Sequence, residues 1–343
     1  MSKNATRKRS RNEWIGGRFR LPAYIQKPDP VRPDAIVWMD QDSRFIFTFE
    51  AIHPNTPDSA LLDCFHKALK DPRVDAARRP ARLRVAEARW AELLRAGLGD
   101  EFEICVGATP EILEVIRRFV DDIKPGVAPS YLGHSVSPAT VGRFFRAAGD
   151  LYRTSPWKII GDEERLLVLD APQFGLIGAS ISIIGALGEH HGILIYESLA
   201  SYDAMARQAE QFERTPPRRS ELRTPALSVT FNRPADFPPE MVREIGEYRW
   251  ELAGPNAYPL AMAFDPDNVQ RPLSERDYEL ATACCLSLCR LLARLATGSR
   301  LDPASARETV VVETLPGHPS VTVALPLLDL FRPQGPHGSS APS

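Results

Sequence analysis

Long hydrophobic runs are missing from this chain of 343 residues. The longest, Leu176 to Leu187, is broken by Ser and Gly and falls short of the roughly 20 apolar residues that span a bilayer, which argues against a membrane helix. Cysteine is scarce. Five residues, an odd number without framework spacing, speak against a disulfide-stapled scaffold and predict reduced thiols. Also absent are G-x-x-x-x-G-K-S/T and G-x-G-x-x-G, whose glycines bring backbone N–H groups up to phosphates. The zinc-hydrolase pattern H-E-x-x-H, the deaminase pairing of H-x-E with P-C-x-x-C and the serine-hydrolase elbow G-x-S-x-G are missing too. No apolar h-region follows the basic N-terminus, so a secretory leader is not expected.

What is present is ordinary globular material. A hydrophobic fraction of 43% beside 25% charged residues allows enough burial to offset the entropy of ordering the chain, and the length predicts two folded units. Charge is distributed unevenly. The first twenty residues carry a net +6 (Lys3, Arg7, Lys8, Arg9, Arg11, Arg18 and Arg20 against Glu13) within an overall −2, so the remainder holds −8. A basic stretch without periodicity reads as disordered. The organisation expected is a disordered basic arm over 1–34, an N-terminal α/β domain over 35–124, a linker over 125–137, a C-terminal α+β domain over 138–328 and a disordered tail over 329–343.

The patterning predicts an α+β chain, a mixture of helices and strands. Ala35–Asp40 and Arg44–Ile52 flank the turn-prone Gln41-Asp42-Ser43 as a hairpin. Helical stripes then alternate with short strands as far as Ile123, which predicts an N-terminal mixed sheet with helices packed on it. In the second half, Ser137 as cap and Pro138 at the first position open a helix that Pro156 ends. Leu166–Asp170, Leu176–Leu187 and Ile193–Ser198 read as an antiparallel meander. Helix 201–213, strand 226–231 and helix 238–248 follow, then an irregular segment. A long helix starts from the box Ser274-Glu-Arg-Asp277, and Val310–Glu313 with Ser320–Ala324 forms a terminal hairpin.

Candidate functional residues fall in a few places. Gly188-Glu-His-His-Gly192 groups Glu189, His190 and His191, which can act as acid or base near neutral pH, although adjacent residues at a hairpin tip point apart. Tyr152-Arg-Thr-Ser-Pro-Trp157 sets Tyr152, Arg153 and Trp157 at a helix exit, where an arginine can stack on an indole or clamp an anion. Gly254-Pro-Asn-Ala-Tyr-Pro259 adds Tyr258 on a rigid loop, and Glu247-Tyr-Arg-Trp-Glu251 brings further charged and aromatic groups close in sequence. Tyr152, Arg153, Trp157 and Tyr258 are the candidate ligand-binding residues, and stapling a helix to a sheet is the competing use. Gly107-Ala-Thr-Pro110 leads a strand into a helix N-terminus that suits an anion or is a plain connecting turn. No metal site or cofactor is expected. Cys285 and Cys289 lie among leucines, as buried thiols do, and Asp40, Asp42 and Glu50 belong to polar hairpin ends.

Leu151-Tyr-Arg-Thr-Ser-Pro-Trp157, Gly185-Ala-Leu-Gly188, Gly192-Ile-Leu-Ile-Tyr196 and Gly254-Pro-Asn-Ala-Tyr-Pro259 together resemble a group of uncharacterised bacterial proteins built from domains of unknown function. Arg79-Pro-Ala-Arg82 and Trp90-Ala-Glu-Leu-Leu94 resemble their N-terminal part, so the likeness spans about residues 35–325. Some of those relatives end in a cysteine-rich metal-binding appendage, whereas Arg332–Ser343 holds no cysteine. The resemblance implies a bacterial, cytoplasmic setting and no particular activity. The expectation is a non-catalytic binding or regulatory protein with an unknown protein or small-molecule partner. The alternative is a hydrolase whose Asp, Glu and His groups converge from distant positions. A third is nucleic-acid contact, open only to Lys3, Arg7, Lys8, Arg9 and Arg11.

Overall fold

A computed structural model describes residues 12–25, 30–71, 79–122, 130–133, 136–160, 166–185, 188, 190–214, 225–296, 307–311, 317 and 319–324. The chain divides into two units, Met1–Gly126 and Val127–Ser343, and both mix helix and strand as expected of an α+β protein.

In the first unit, five strands line up in the order β3 (Ile46–Ile52), β2 (Asp34–Asp40), β1 (Glu13–Arg20), β4 (Arg82–Val85) and β5 (Glu103–Val106). The first three are antiparallel, and β1–β4 and β4–β5 are parallel. The expected hairpin over 35–52 is β2–β3. Helix α1 (Ala60–Leu69) follows it, α2 (Ala88–Leu98) makes the crossover that a parallel β4–β5 pair requires, and α3 (Pro110–Asp122) closes the unit. Strand alternation sorts the core onto two faces. Trp14, Ile36 and Trp38 pack with Leu61, Phe65, Trp90 and Leu94 of α1 and α2, while Ile15, Ala35, Val37 and Met39 pack with Ile112 and Ile116 of α3. Each fully buried Leu or Ile contributes roughly 1.5–3 kcal/mol relative to exposure.

The expectation of a disordered arm over 1–34 is corrected here, because residues 13–20 form β1, the middle strand of the sheet. Two glycines and a basic flank hid it. Gly16 is required by packing: a Cβ there would lie 2.2 Å from Cε3 of Trp38. Arg18 is no tail charge either. Its Nε donates to Asp34 at 2.7 Å, and its remaining N–H groups reach the Thr56 carbonyl at 2.7 Å, the Pro54 carbonyl at 2.5 Å and Asp58 at 3.1 Å. Arg20 bonds the other Asp34 oxygen at 2.6 Å. Residues 1–11, which hold Lys3, Arg7, Lys8, Arg9 and Arg11, lie outside the described residues.

The second unit carries one antiparallel sheet. Its order is β11 (Gln270–Arg271), β10 (Tyr258–Phe264), β9 (Leu227–Asn232), β8 (His191–Tyr196), β7 (Leu176–Ile184), β6 (Leu167–Ala171), β13 (Ser320–Ala324), β12 (Arg307–Val311). The expected meander is β6–β7–β8, and the terminal hairpin is β12–β13. Helices α4 (Pro138–Thr154) and α8 (Glu275–Ala296) lay Phe144, Phe145, Leu151, Cys284, Cys285 and Leu288 against Leu169, Ile181, Ile193, Ile195 and Val229. On α6 (Leu199–Arg214), Tyr202 packs in a separate small cluster with Leu166 and Tyr196. Cys284 and Cys285 are fully buried in this core, and burial pushes the Cys284 thiol up to about 12 and raises Cys285 as well.

Two boundaries shift. Residues 130–133, expected within a linker over 125–137, belong to this second unit. The Tyr131 hydroxyl donates to the Pro259 carbonyl at 3.1 Å, its carbonyl accepts from the Tyr278 hydroxyl at 2.9 Å, and its side chain is 1% exposed. The segment read as irregular before the long helix contains β10. Pro259 concealed it, since proline cannot donate to a ladder. Because β11 pairs only with Ala263 and Phe264, β10 is an edge strand at Pro259, where proline is tolerated. The tail over 329–343 lies outside the described residues. Among the described residues, no helix is long and apolar enough to cross a membrane.

Candidate functional site

The chain path after α4 decides where the expected aromatic residues go. Ser155 adopts the left-handed conformation with φ 52° and ends α4, and Pro156 starts the short helix α5 (Pro156–Ile159). That turn carries Trp157 inward to 6% exposure, where it stacks on His191 at 4.4 Å, with Tyr152 at 5.6 Å and Phe231 at 6.0 Å. Three residues singled out from distant sequence positions, Tyr152, Trp157 and His191, therefore meet, with Tyr152 and His191 half-buried against a buried Trp157. Burial, then the nearby Lys158 and His190, hold His191 below the usual histidine range. His190 is exposed, Glu189 lies outside the described residues, and neither histidine makes an ion pair among those described. Tyr258 packs on Phe237 at 5.8 Å.

Other candidate positions prove to be occupied. Asp40 accepts from the backbone and hydroxyl of Ser43, whereas Glu50 binds Cys64 and Lys67. At the Gly107–Pro110 turn, Arg84 already holds the Ala108 carbonyl and the Glu111 carboxylate. No cluster of three or more metal-ligating groups occurs among the described residues.

Arg153 leaves the core instead and leads to a groove of about 550 Å³ between α4 and the turn that follows helix α7 (Pro239–Tyr248). One wall is Pro138, Ala139, Gly142, Arg143 and Arg146, and the other is Tyr248, Arg249, Trp250 and Glu251. A second hollow of about 190 Å³ shares Arg146 and Glu251 and adds Phe145, Gly149, Asp150 and Arg153. Positions 139, 142, 146, 149 and 153 recur every three or four residues and so share one helix face. Two of them are glycines within a helix, each costing about 1 kcal/mol against alanine. Gly142 gains something for it. A Cβ there would stand 3.3 Å from Cδ1 of Trp250, so the small residue lets the indole close on α4. The Trp250 Nε1 then donates to the Pro138 carbonyl at 3.2 Å, and its ring packs on Phe145 at 5.0 Å.

Tyr248 stacks over Trp250 at 5.2 Å and 21° while remaining 38% exposed. Between these two rings Arg249 takes φ 53° and ψ 41°, with its N–H closing α7 on the Ile245 carbonyl. Glycine is the usual residue at such a helix end, and a side chain there costs about 1 kcal/mol. Strain of this kind gathers where function needs a particular side chain.

Charge is arranged differently in the two hollows. Arg153 is neutralised by Asp150 at 3.0 Å and Glu251 at 2.6 Å. Arg143, Arg146 and Arg249 make no ion pair among the described residues. Arg143 donates Nη2 to the Thr140 hydroxyl at 2.9 Å, but its Nε is buried without a partner among the described residues. Burial alone would raise the Glu275 carboxyl; bonds from the Ser137 N–H and Thr140, together with the charge of Arg143, bring it below its ordinary value. Three guanidinium groups beside an aromatic stack form a donor set suited to an oxyanion. Of the residues expected to bind a ligand, Arg153 lines the second hollow, and none of them lines the larger groove. Its other components were visible as Glu247-Tyr-Arg-Trp-Glu251 and as arginines at helical spacing, but nothing local joined the two segments.

Two family models match the chain. One, described as Domain of unknown function (DUF6930), covers residues 1–124, and the other, Domain of unknown function (DUF7309), covers residues 142–313. No curated protein matches it.

Proposed function

We propose that this chain, which belongs to the DUF7309 family, is a non-catalytic binding protein of the bacterial cytoplasm that holds an anionic partner in the groove along α4. One observation carries the reading: Arg143, Arg146 and Arg249 line a single groove and make no ion pair among the described residues, while Glu251 on its wall is already paired with Arg153. Keeping three like charges together costs energy unless a ligand answers them. The five free thiols are consistent with a reducing compartment. His191 is stacked on Trp157 and makes no ion pair among the described residues, which supports binding over the hydrolytic alternative. Citrate, a compact trianion, is the simplest probe. A ligand that binds only the folded state raises its stability by about 2.7 kcal/mol at a hundred times its dissociation constant. Citrate should therefore raise the melting temperature of the wild-type protein and leave Arg146→Gln/Arg249→Gln unmoved. Equal shifts in the two proteins would remove the groove from consideration.

A further inference from the structure

We infer that the unpaired end of this groove is a subsite for a doubly charged phosphate monoester whose organic part bears a planar ring. The inference rests on the binding role just proposed and names the ligand chemistry. Charge balance favours a dianion. A single carboxylate would answer one guanidinium and leave two repelling each other, whereas a phosphate monoester brings about −1.5 to −2 charges and three acceptor oxygens. The donors present match that demand. Among the described residues, Arg146 and Arg249 make no ion pair, Arg143 has a buried Nε without a partner, and the charge of Arg143 is only partly answered by Glu275 and Glu279, neither within ion-pair distance. Ala139, in the first turn of the 17-residue helix α4, lines the same groove, so the positive end of the helix dipole adds to the field.

The ring is placed by Tyr248, which stacks one face on Trp250 and keeps 38% of its surface exposed; stacking on such a platform is worth about 1–3 kcal/mol for a nucleobase. A long polyanion fits poorly. The adjoining hollow sets the two carboxylates Asp150 and Glu251 against the one guanidinium of Arg153, so phosphates repeated along a nucleic-acid strand would find no free cation in that group.

The test is calorimetric titration of the full chain with phenyl phosphate, benzoate, inorganic phosphate and a short peptide holding one phosphotyrosine. Phenyl phosphate should bind at least tenfold more tightly than benzoate or inorganic phosphate. Arg249→Gln should cost it about tenfold. Tyr248→Ala should cost phenyl phosphate more than inorganic phosphate, with both variants melting within a few degrees of wild type. A further tenfold gain for the phosphopeptide would make the source a modified polypeptide reaching into the adjoining hollow, and no gain would make it a small phosphate ester. Benzoate binding as tightly as phenyl phosphate, or phenyl phosphate binding unchanged in Arg249→Gln, overturns the inference. If the citrate shift still depends on Arg146 and Arg249 in that event, the anion-binding role stands without the phosphate.

Discussion

Arg18 in the first unit and Arg146 in the second are both arginines of regular elements, one on β1 and one on α4, yet their surroundings are opposite. Arg18 is 9% exposed in its side chain and spends its N–H groups on Asp34, Asp58 and the carbonyls of Pro54 and Thr56. Arg146 is exposed and has no such partner among the described residues. The first arrangement is what a protein does with a charge it needs for folding, since a desolvated guanidinium must be paired and fully hydrogen-bonded. The second serves no folding purpose. Water already solvates that charge, so removing it should leave the fold unharmed and change only what the groove can hold.

The largest effect expected from this contrast follows from Asp34→Ala. It removes the buried carboxylate from Arg18, leaving the exposed Asp58 and two carbonyls, and should cost the first unit about 3 kcal/mol, read as a lower urea midpoint, whereas Arg146→Gln should change stability by no more than about 0.5 kcal/mol. Equal effects at the two sites would erase the distinction. A smaller change is expected at Arg249→Gly. Relieving the left-handed backbone at φ 53° should stabilise the second unit by about 1 kcal/mol while abolishing the citrate-dependent shift. Stability and binding would then move in opposite directions, which a purely structural arginine would not do.

The smallest effect concerns pH. Burial beside Trp157 lowers the His191 pKa from its ordinary value of 6.5. As pH falls through 6.5, the unfolded chain takes up a proton before the folded one does. The stabilisation due to the neutral ring is therefore fully present above pH 6.5 and is lost as pH drops toward the folded-state value. Equilibrium unfolding of wild type and His191→Gln over that interval should show a shallower slope for the variant, and identical slopes would place the titration elsewhere.

How much of this could be read locally differs from element to element. Helix α4 was legible from Ser137, Pro138 and the stripe Val141, Phe144, Phe145, Ala148, because capping and amphipathic spacing are properties of a dozen neighbouring residues. β1 was not, since Gly16 and Arg18 have meaning only beside Trp38 and Asp34, which arrive with the next strand. β10 was hidden by Pro259, whose tolerance depends on how far β11 extends. Trp157 invited a ligand role and turned inward because α5 restarts the chain after Ser155.

By itself, then, the sequence determined the α+β class, the meander, both hairpins, the reduced thiols and the missing nucleotide, zinc and serine-hydrolase motifs, all of which depend on residue type and short-range spacing. Tertiary structure alone decided which arginines are paired. Arg143 and Arg249 are 106 positions apart in the chain, and only the closing of Trp250 onto Gly142 brings their segments to one groove. Electrostatic pairing is settled by distance and desolvation, and neither is defined until the chain has packed.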